Sequence, residues 1–152
     1  MRRRIISRYS LGLIAIREFT PRVTFNQELS HIGFTENTYD DGNRTRFGQE
    51  IRANSALIYR AYTDMDSRLR VDLALKAQYL HLGRDETNGV KEQATGGDMV
   101  YGMPGVRIYW REYSLGLGYK TPIWTNLNEQ DEQQGGEGTE AYRLVLSFSA
   151  LF

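Results

Sequence analysis

The segment Ala141-Tyr-Arg-Leu-Val-Leu-Ser-Phe-Ser-Ala-Leu-Phe152 decides how the rest of the chain is read. Tyr142, Leu144, Leu146, Phe148, Ala150 and Phe152 share one phase of a two-residue alternation, and Arg143, Val145, Ser147 and Ser149 share the other. Successive side chains of a strand point to opposite faces, so this spacing predicts a strand with one apolar and one largely polar face.

The same pattern recurs upstream. In residues 68–83, Leu69, Val71, Leu73, Leu75, Ala77 and Tyr79 alternate with Arg70, Asp72, Ala74, Lys76 and Gln78. In residues 49–62, Ile51, Ala53, Ser55, Leu57 and Tyr59 alternate with Glu50, Arg52, Asn54, Ala56, Ile58 and Arg60. Further strands are predicted at 4–17, 22–34, 100–110 and 113–121, which makes seven and defines an all-β chain. Short turns at 18–21, 63–67 and 111–112 interleave with long polar loops at 35–48, 84–98 and 122–140, where Asp40-Asp41-Gly42-Asn43, Asn88-Gly89, Gly96-Gly97 and Gly135-Gly136 tolerate positive φ. Alternating loop lengths, and strands of about ten or more residues, match an antiparallel up-and-down transmembrane β-barrel of about 7–8 strands in this chain, alone or as part of a larger barrel.

Composition narrows the alternatives. The 152 residues suit a single β-barrel domain, 1–152. Nineteen basic against nineteen acidic residues carry no polyanion-binding signal, so no nucleic-acid partner is expected. The lack of cysteine removes disulfides, thiol nucleophiles and thiolate metal sites. No run approaches the roughly eighteen apolar residues of a membrane helix, but a barrel shows lipid only alternate residues and keeps its average hydropathy low. Arg2, Arg3 and Arg4 ahead of the apolar run 11–16 imitate a signal peptide, yet Arg8 interrupts the pattern and no small-residue cleavage site follows; a strand is the expected reading, with the signal peptide absent.

In water an apolar strand face must turn inward, whereas in lipid it turns outward and the polar face lines the interior. Aromatic residues near the expected strand ends, among them Tyr59, Tyr62, Tyr79, Trp110, Tyr113, Tyr119 and Trp124, favour lipid, because such rings sit at headgroup level.

The closing segment also resembles the C-terminal signal strand of bacterial outer-membrane proteins, which ends in phenylalanine after alternating aromatic or apolar residues. The resemblance implies that Tyr142, Phe148, Ala150 and Phe152 are read by the barrel-assembly machinery, and that the chain resides in the bacterial outer membrane with its lipid as a partner. Met103-Pro-Gly-Val-Arg-Ile-Tyr, Tyr113-Ser-Leu-Gly-Leu-Gly-Tyr-Lys-Thr-Pro-Ile and Tyr142-Arg-Leu are similar to the end of the transporter-like barrel family named for the MetA pathway of phenol degradation. That likeness covers about the last third of the chain and implies a transport-type barrel, with no catalytic residue to carry over. With Phe152 at the periplasmic face, seven strands put Met1 outside, whereas bacterial barrels have even strand numbers. A missing upstream strand, the chain being N-terminally incomplete, is the expectation.

The phase that would face the lumen carries Arg52, Arg60, Arg70, Lys76, Arg107, Lys120 and Arg143 against Glu28, Glu50 and Asp72. Either these residues pair across strands as a polar network, or they make a basic interior that favours anions. His31 and His81 lack sequence neighbours suited to catalysis or metal binding. His81 with Ser55 or Ser67 is the one hydrolase arrangement worth weighing, and no local motif supports it, so no enzyme is expected. The acidic loops at 40–43 and 128–140 lack the oxygen spacing of a calcium loop, and no cofactor or metal site is expected. The leading expectation is porin- or transporter-like passage of small solutes, anions among them. The alternatives are a closed structural or adhesion barrel with binding loops, and a soluble lipocalin-like carrier; each is compatible with a monomer or an oligomer.

Overall fold

The computed structural model describes residues 8–38, 42–128 and 141–151. All regular structure within them is strand: β1 (Arg8–Thr20), β2 (Val23–Phe34), β3 (Asn37–Thr38), β4 (Arg44–Arg46), β5 (Glu50–Asp64), β6 (Leu69–Leu82), β7 (Glu86–Thr87), β8 (Val90–Lys91), β9 (Gly97–Trp110), β10 (Tyr113–Leu127) and β11 (Arg143–Ala150). Seven long strands form one antiparallel sheet in the order β1-β2-β5-β6-β9-β10-β11, in which neighbours in the sheet are also neighbours in the chain. The seven expected strands are thus present as an up-and-down meander, but the sheet is open: β1 and β11 are its two edges and do not pair.

Local chemistry explains the hairpins. Thr20 Oγ1 accepts the Arg22 and Val23 amides at 3.2 and 3.1 Å and closes the β1–β2 turn. Asp64 accepts the Asp66 amide and the Ser67 hydroxyl at 3.1 and 2.6 Å, an Asx-type turn between β5 and β6. Several expected boundaries move: β1 runs to Thr20, β5 to Asp64, and β9 begins at Gly97. β10 continues through Pro122 to Leu127, because a register shift between Pro122 and Trp124 absorbs the proline. The β9–β10 ladder steps from Gly118↔Gly105 to Thr121↔Gly102, skipping Pro104, which has no amide to donate.

Two of the long loops contain structure the alternation does not reveal. β3 and β4 pair with β7 and β8 in a four-stranded sheet, order β3-β4-β7-β8, which clasps the loop after β2 to the loop after β6. Asn88-Gly89, at φ 53° and 79°, makes the tight β7–β8 turn. Arg46 bridges Glu86 at 2.7 Å, and Asp85 Oδ1 accepts the Gly48 amide at 2.6 Å.

The register places every apolar phase of the seven strands on one face. Leu146, Leu117, Val106, Leu73, Tyr59 and Val23 form a single cross-strand row there. No described element covers this face: Leu75 is 62% exposed, Leu146 70% and Phe148 69%. The opposite, polar face is the enclosed one. Asp72 there is 4% exposed, and Tyr101 and Met99 are 4% and 5% exposed. A cavity of about 780 Å³ lies against that face and is lined from Ile14 and Glu18 of β1 across to Val145 and Ser147 of β11, so the sheet curls with its polar side concave.

Candidate functional site

The eight charged residues expected to share a face do so. Arg60, Asp72 and Arg107 occupy one row, which continues to Gly116 and Ser147. Arg70 lies in the row of Thr63, Tyr109 and Ser149. Lys76 pairs with Ala56 and Met103, Arg52 with Ser30 and Leu80, and Lys120 with Arg143. Their parity follows from the two-residue period, which the antiparallel register carries intact from strand to strand.

Part of this face is a satisfied network. Arg70 grips the Asp72 carboxylate through both Nε and a terminal nitrogen, with Nε 2.8 Å from Oδ1, and its guanidinium lies 4.7 Å from the Tyr109 ring centroid. Two residues apart on one strand, the pair lie on the same face, and the bidentate geometry suits a planar guanidinium. Arg52 pairs with Glu50 in the same i, i+2 manner. Gln78 donates to Asn54 at 2.8 Å, and Asn54 donates to Glu28 at 3.2 Å, linking three strands. Lys120 Nζ stands 3.9 Å from the Tyr101 ring centroid.

Arg60, Lys76 and Arg107 stand apart from this network. None makes an ion pair within 4 Å among the described residues. Arg60 Nε is buried without a hydrogen-bond partner, as is Arg52 Nε. Arg107 lies flat over Gly116: a Cβ built on that glycine would stand 3.2 Å from Arg107 Nε and 2.5 Å from Ser147 Oγ. A side chain here would push against the Arg107 head and the Ser147 hydroxyl.

A second polar cluster sits on the apolar face at its long-loop end. His81 Nδ1 is 2.7 Å from Asp98 Oδ1, to which Tyr79 Oη also donates at 2.6 Å. His31, in the same cross-strand row as His81, has Nε2 3.1 Å from Gln49 Oε1. Asp98 escaped sequence reading because seventeen residues and a loop separate it from His81; its place on a strand beside His81 emerges only from the β6–β9 register. The serines weighed beside His81 lie elsewhere. Ser55 donates to Gln27 at 2.6 Å and sits in the row of Ala77, four residues from His81 along β6, while Ser67 is in the turn at the opposite end.

Phe148 and Ala150 project from the apolar face of β11, and Tyr142 immediately precedes that strand. Tyr142 stacks on Tyr119 and Phe148 on Tyr113, each pair 6.1 Å between centroids. Phe152, Asp40, Asp41 and most of the loop 128–140, with Gly135-Gly136, lie outside the described residues. No group of three or more metal-ligating side chains occurs among the described residues. No family model, curated protein or solved structure matches the chain.

Proposed function

We propose that this chain is the wall of an outer-membrane β-barrel, with its apolar face in lipid and its concave polar face along an aqueous interior through which small solutes pass. The carrying observation is the inversion of the faces: Leu75 and Leu146 lie on the open face at 62% and 70% exposure, whereas Asp72 on the enclosed face is 4% exposed. In water this arrangement forgoes the burial of apolar surface that holds soluble proteins together. In lipid it is the expected one. A soluble carrier with an apolar interior requires the opposite assignment.

The aromatic rings support a tilted, membrane-crossing sheet. Val145, Gly118, Gly105, Ala74, Ile58, Thr24 and Glu18 form one hydrogen-bonded row across all seven strands. Tyr142, just ahead of β11, lies three residues from this row toward the long loops, and Tyr9 lies nine residues from it on β1 in the same direction. Six residues of climb over six strand steps, at about 3.3 Å per residue and 4.8 Å per strand, correspond to a slope of about 35°. Barrel strands tilt by roughly 35–45°. A level band of rings at the headgroups would run at such an angle to the hydrogen bonds.

Unpaired backbone at the edges of β1 and β11 would cost several kcal/mol per group in lipid, so this reading requires closure. Alternating hairpins make β1 and β11 run in the same direction. An odd number of additional strands therefore completes an antiparallel barrel, in keeping with the even counts of bacterial barrels. The C-terminal strand then carries the assembly signal at Tyr142, Phe148, Ala150 and Phe152.

Conductance of the folded chain in planar bilayers tests passage. Stepwise channels are expected once the edges of β1 and β11 are closed, and silence from protein shown to form a closed β-barrel in the bilayer would reject it. One observation favours a second reading, a closed barrel that binds partners through its loops: the clasp of β3, β4, β7 and β8 gives two loops a defined shape. Binding that is lost on replacing residues 84–96 by a short linker, in a protein that never conducts, would favour that reading.

A further inference from the structure

We infer that Arg60, Arg107 and Lys76 form a binding site for a small oxyanion, such as a carboxylate, phosphate or sulfate group, on the concave wall beside the Arg70–Asp72 pair. The inference rests on the concave face being a solvent-filled interior, as proposed above, and adds a ligand class and the residues that hold it.

Placement comes first. Arg60 and Arg107 flank Asp72 in one cross-strand row, so their backbones lie two strand spacings apart, about 10 Å. Two extended guanidinium groups converge easily over that distance on one anion between them. Lys76 is on the same face of the same strand as Asp72, four residues along. All three line the cavity of about 780 Å³, which is large enough for a small organic anion.

Charge then selects the ligand. The nearest carboxylate, Asp72, is already held by Arg70 through both of its oxygens. The other acids that line the cavity are Glu28, which accepts from the neutral Asn54 amide, and Glu18, two strands from Arg60 on β1, while Glu50 pairs with Arg52. Five cations thus face three carboxylates around the cavity, and Arg60, Lys76 and Arg107 make none of the described ion pairs. Arg60 Nε is a buried donor with no acceptor, an arrangement that costs free energy until an oxygen arrives. Gly116, having no side chain, leaves room for the Arg107 head and for the Ser147 hydroxyl, a further donor for an oxyanion. A cation would meet the opposite field.

Calorimetric titration of the full-length chain, folded in neutral detergent micelles, with inorganic phosphate tests the site without lipid phosphate present. Saturable binding is expected. An R60Q/R107Q double variant should bind about tenfold more weakly or worse, the loss expected of one charge-assisted hydrogen bond or more. R60K/R107K should recover much of the affinity, and R44Q in the exposed loop should bind like the parent. Circular dichroism of each variant separates lost binding from lost folding. Absence of saturable binding by the parent, or unchanged affinity in a folded R60Q/R107Q protein, overturns the inference. Reversal potentials in planar bilayers separate the two proposals. Phosphate binding without conductance upholds the site while rejecting passage, and conductance with no phosphate binding rejects the site while upholding passage.

Discussion

Leu75→Arg places a charge in the middle of the sheet's apolar face. Leu75 is the seventh of the fourteen residues of β6, the central strand, and it pairs with Leu57 and Pro104. If this face meets lipid, arginine near the bilayer midplane costs about 2–4 kcal/mol. At 1.36 kcal/mol per factor of ten, the folding equilibrium then falls by roughly thirtyfold to a thousandfold. If the face meets water, a side chain that is 62% exposed tolerates the change within about 0.5 kcal/mol. Leu11→Arg provides the control: Leu11 is similarly open, at 69%, but lies at the long-loop end beside Tyr9 and in the row of His31. Depth near an interface reduces its cost to about 0–1 kcal/mol. Reversible urea unfolding from phospholipid vesicles, followed by tryptophan fluorescence, measures both. A Leu75→Arg cost under 1 kcal/mol, or equal costs at the two positions, would refute the reasoning.

Asp72→Asn removes the charge that holds Arg70 in an enclosed site. Because Arg70 itself is partly open, we expect a loss of about 2 kcal/mol, below the range for a fully buried pair, read as a lower urea midpoint. The same variant should raise anion preference in bilayers. Gly48→Ala would set a methyl group 1.9 Å from Gly83 O and should break the hydrogen bond that the Gly83 N–H donates to the Gln49 carbonyl, so that this amide exchanges faster with deuterium; Gly12→Ala, whose nearest neighbour is 3.7 Å away, should be close to neutral. Glu86→Gln removes the Arg46 bridge and should cost no more than about 1 kcal/mol, since Arg46 is half exposed, while speeding proteolysis within residues 83–96.

The seven long strands and the membership of their faces were legible because period-two alternation is a local signal that an antiparallel register preserves across the sheet. The same logic brought the eight charged residues to one side, but the ion pairs expected across strands form within strands instead, Arg70 with Asp72 and Arg52 with Glu50. The loop clasp was not legible. β3, β4, β7 and β8 are two or three residues long, and the pairing of Thr45 with Thr87 joins segments 42 positions apart, with no periodicity to announce it. Pro122 reads as a strand terminator, yet the neighbouring bulge lets β10 run five residues beyond it. The His81–Asp98–Tyr79 cluster was hidden because Asp98 looked like loop; it belongs to β9, which begins at Gly97. Closure depends on what pairs with the edges of β1 and β11, a long-range property that alternation does not encode.

The chain has no cysteine, so single cysteines at positions 73–78 can each carry a nitroxide label without interference. In vesicles, collision with oxygen reports lipid and collision with a water-soluble nickel chelate reports aqueous surface. With the apolar face in lipid, labels at 73, 75 and 77 favour oxygen and labels at 74, 76 and 78 favour nickel, with a strict two-residue period. Reversed phases, or nickel access at all six positions, would contradict that placement.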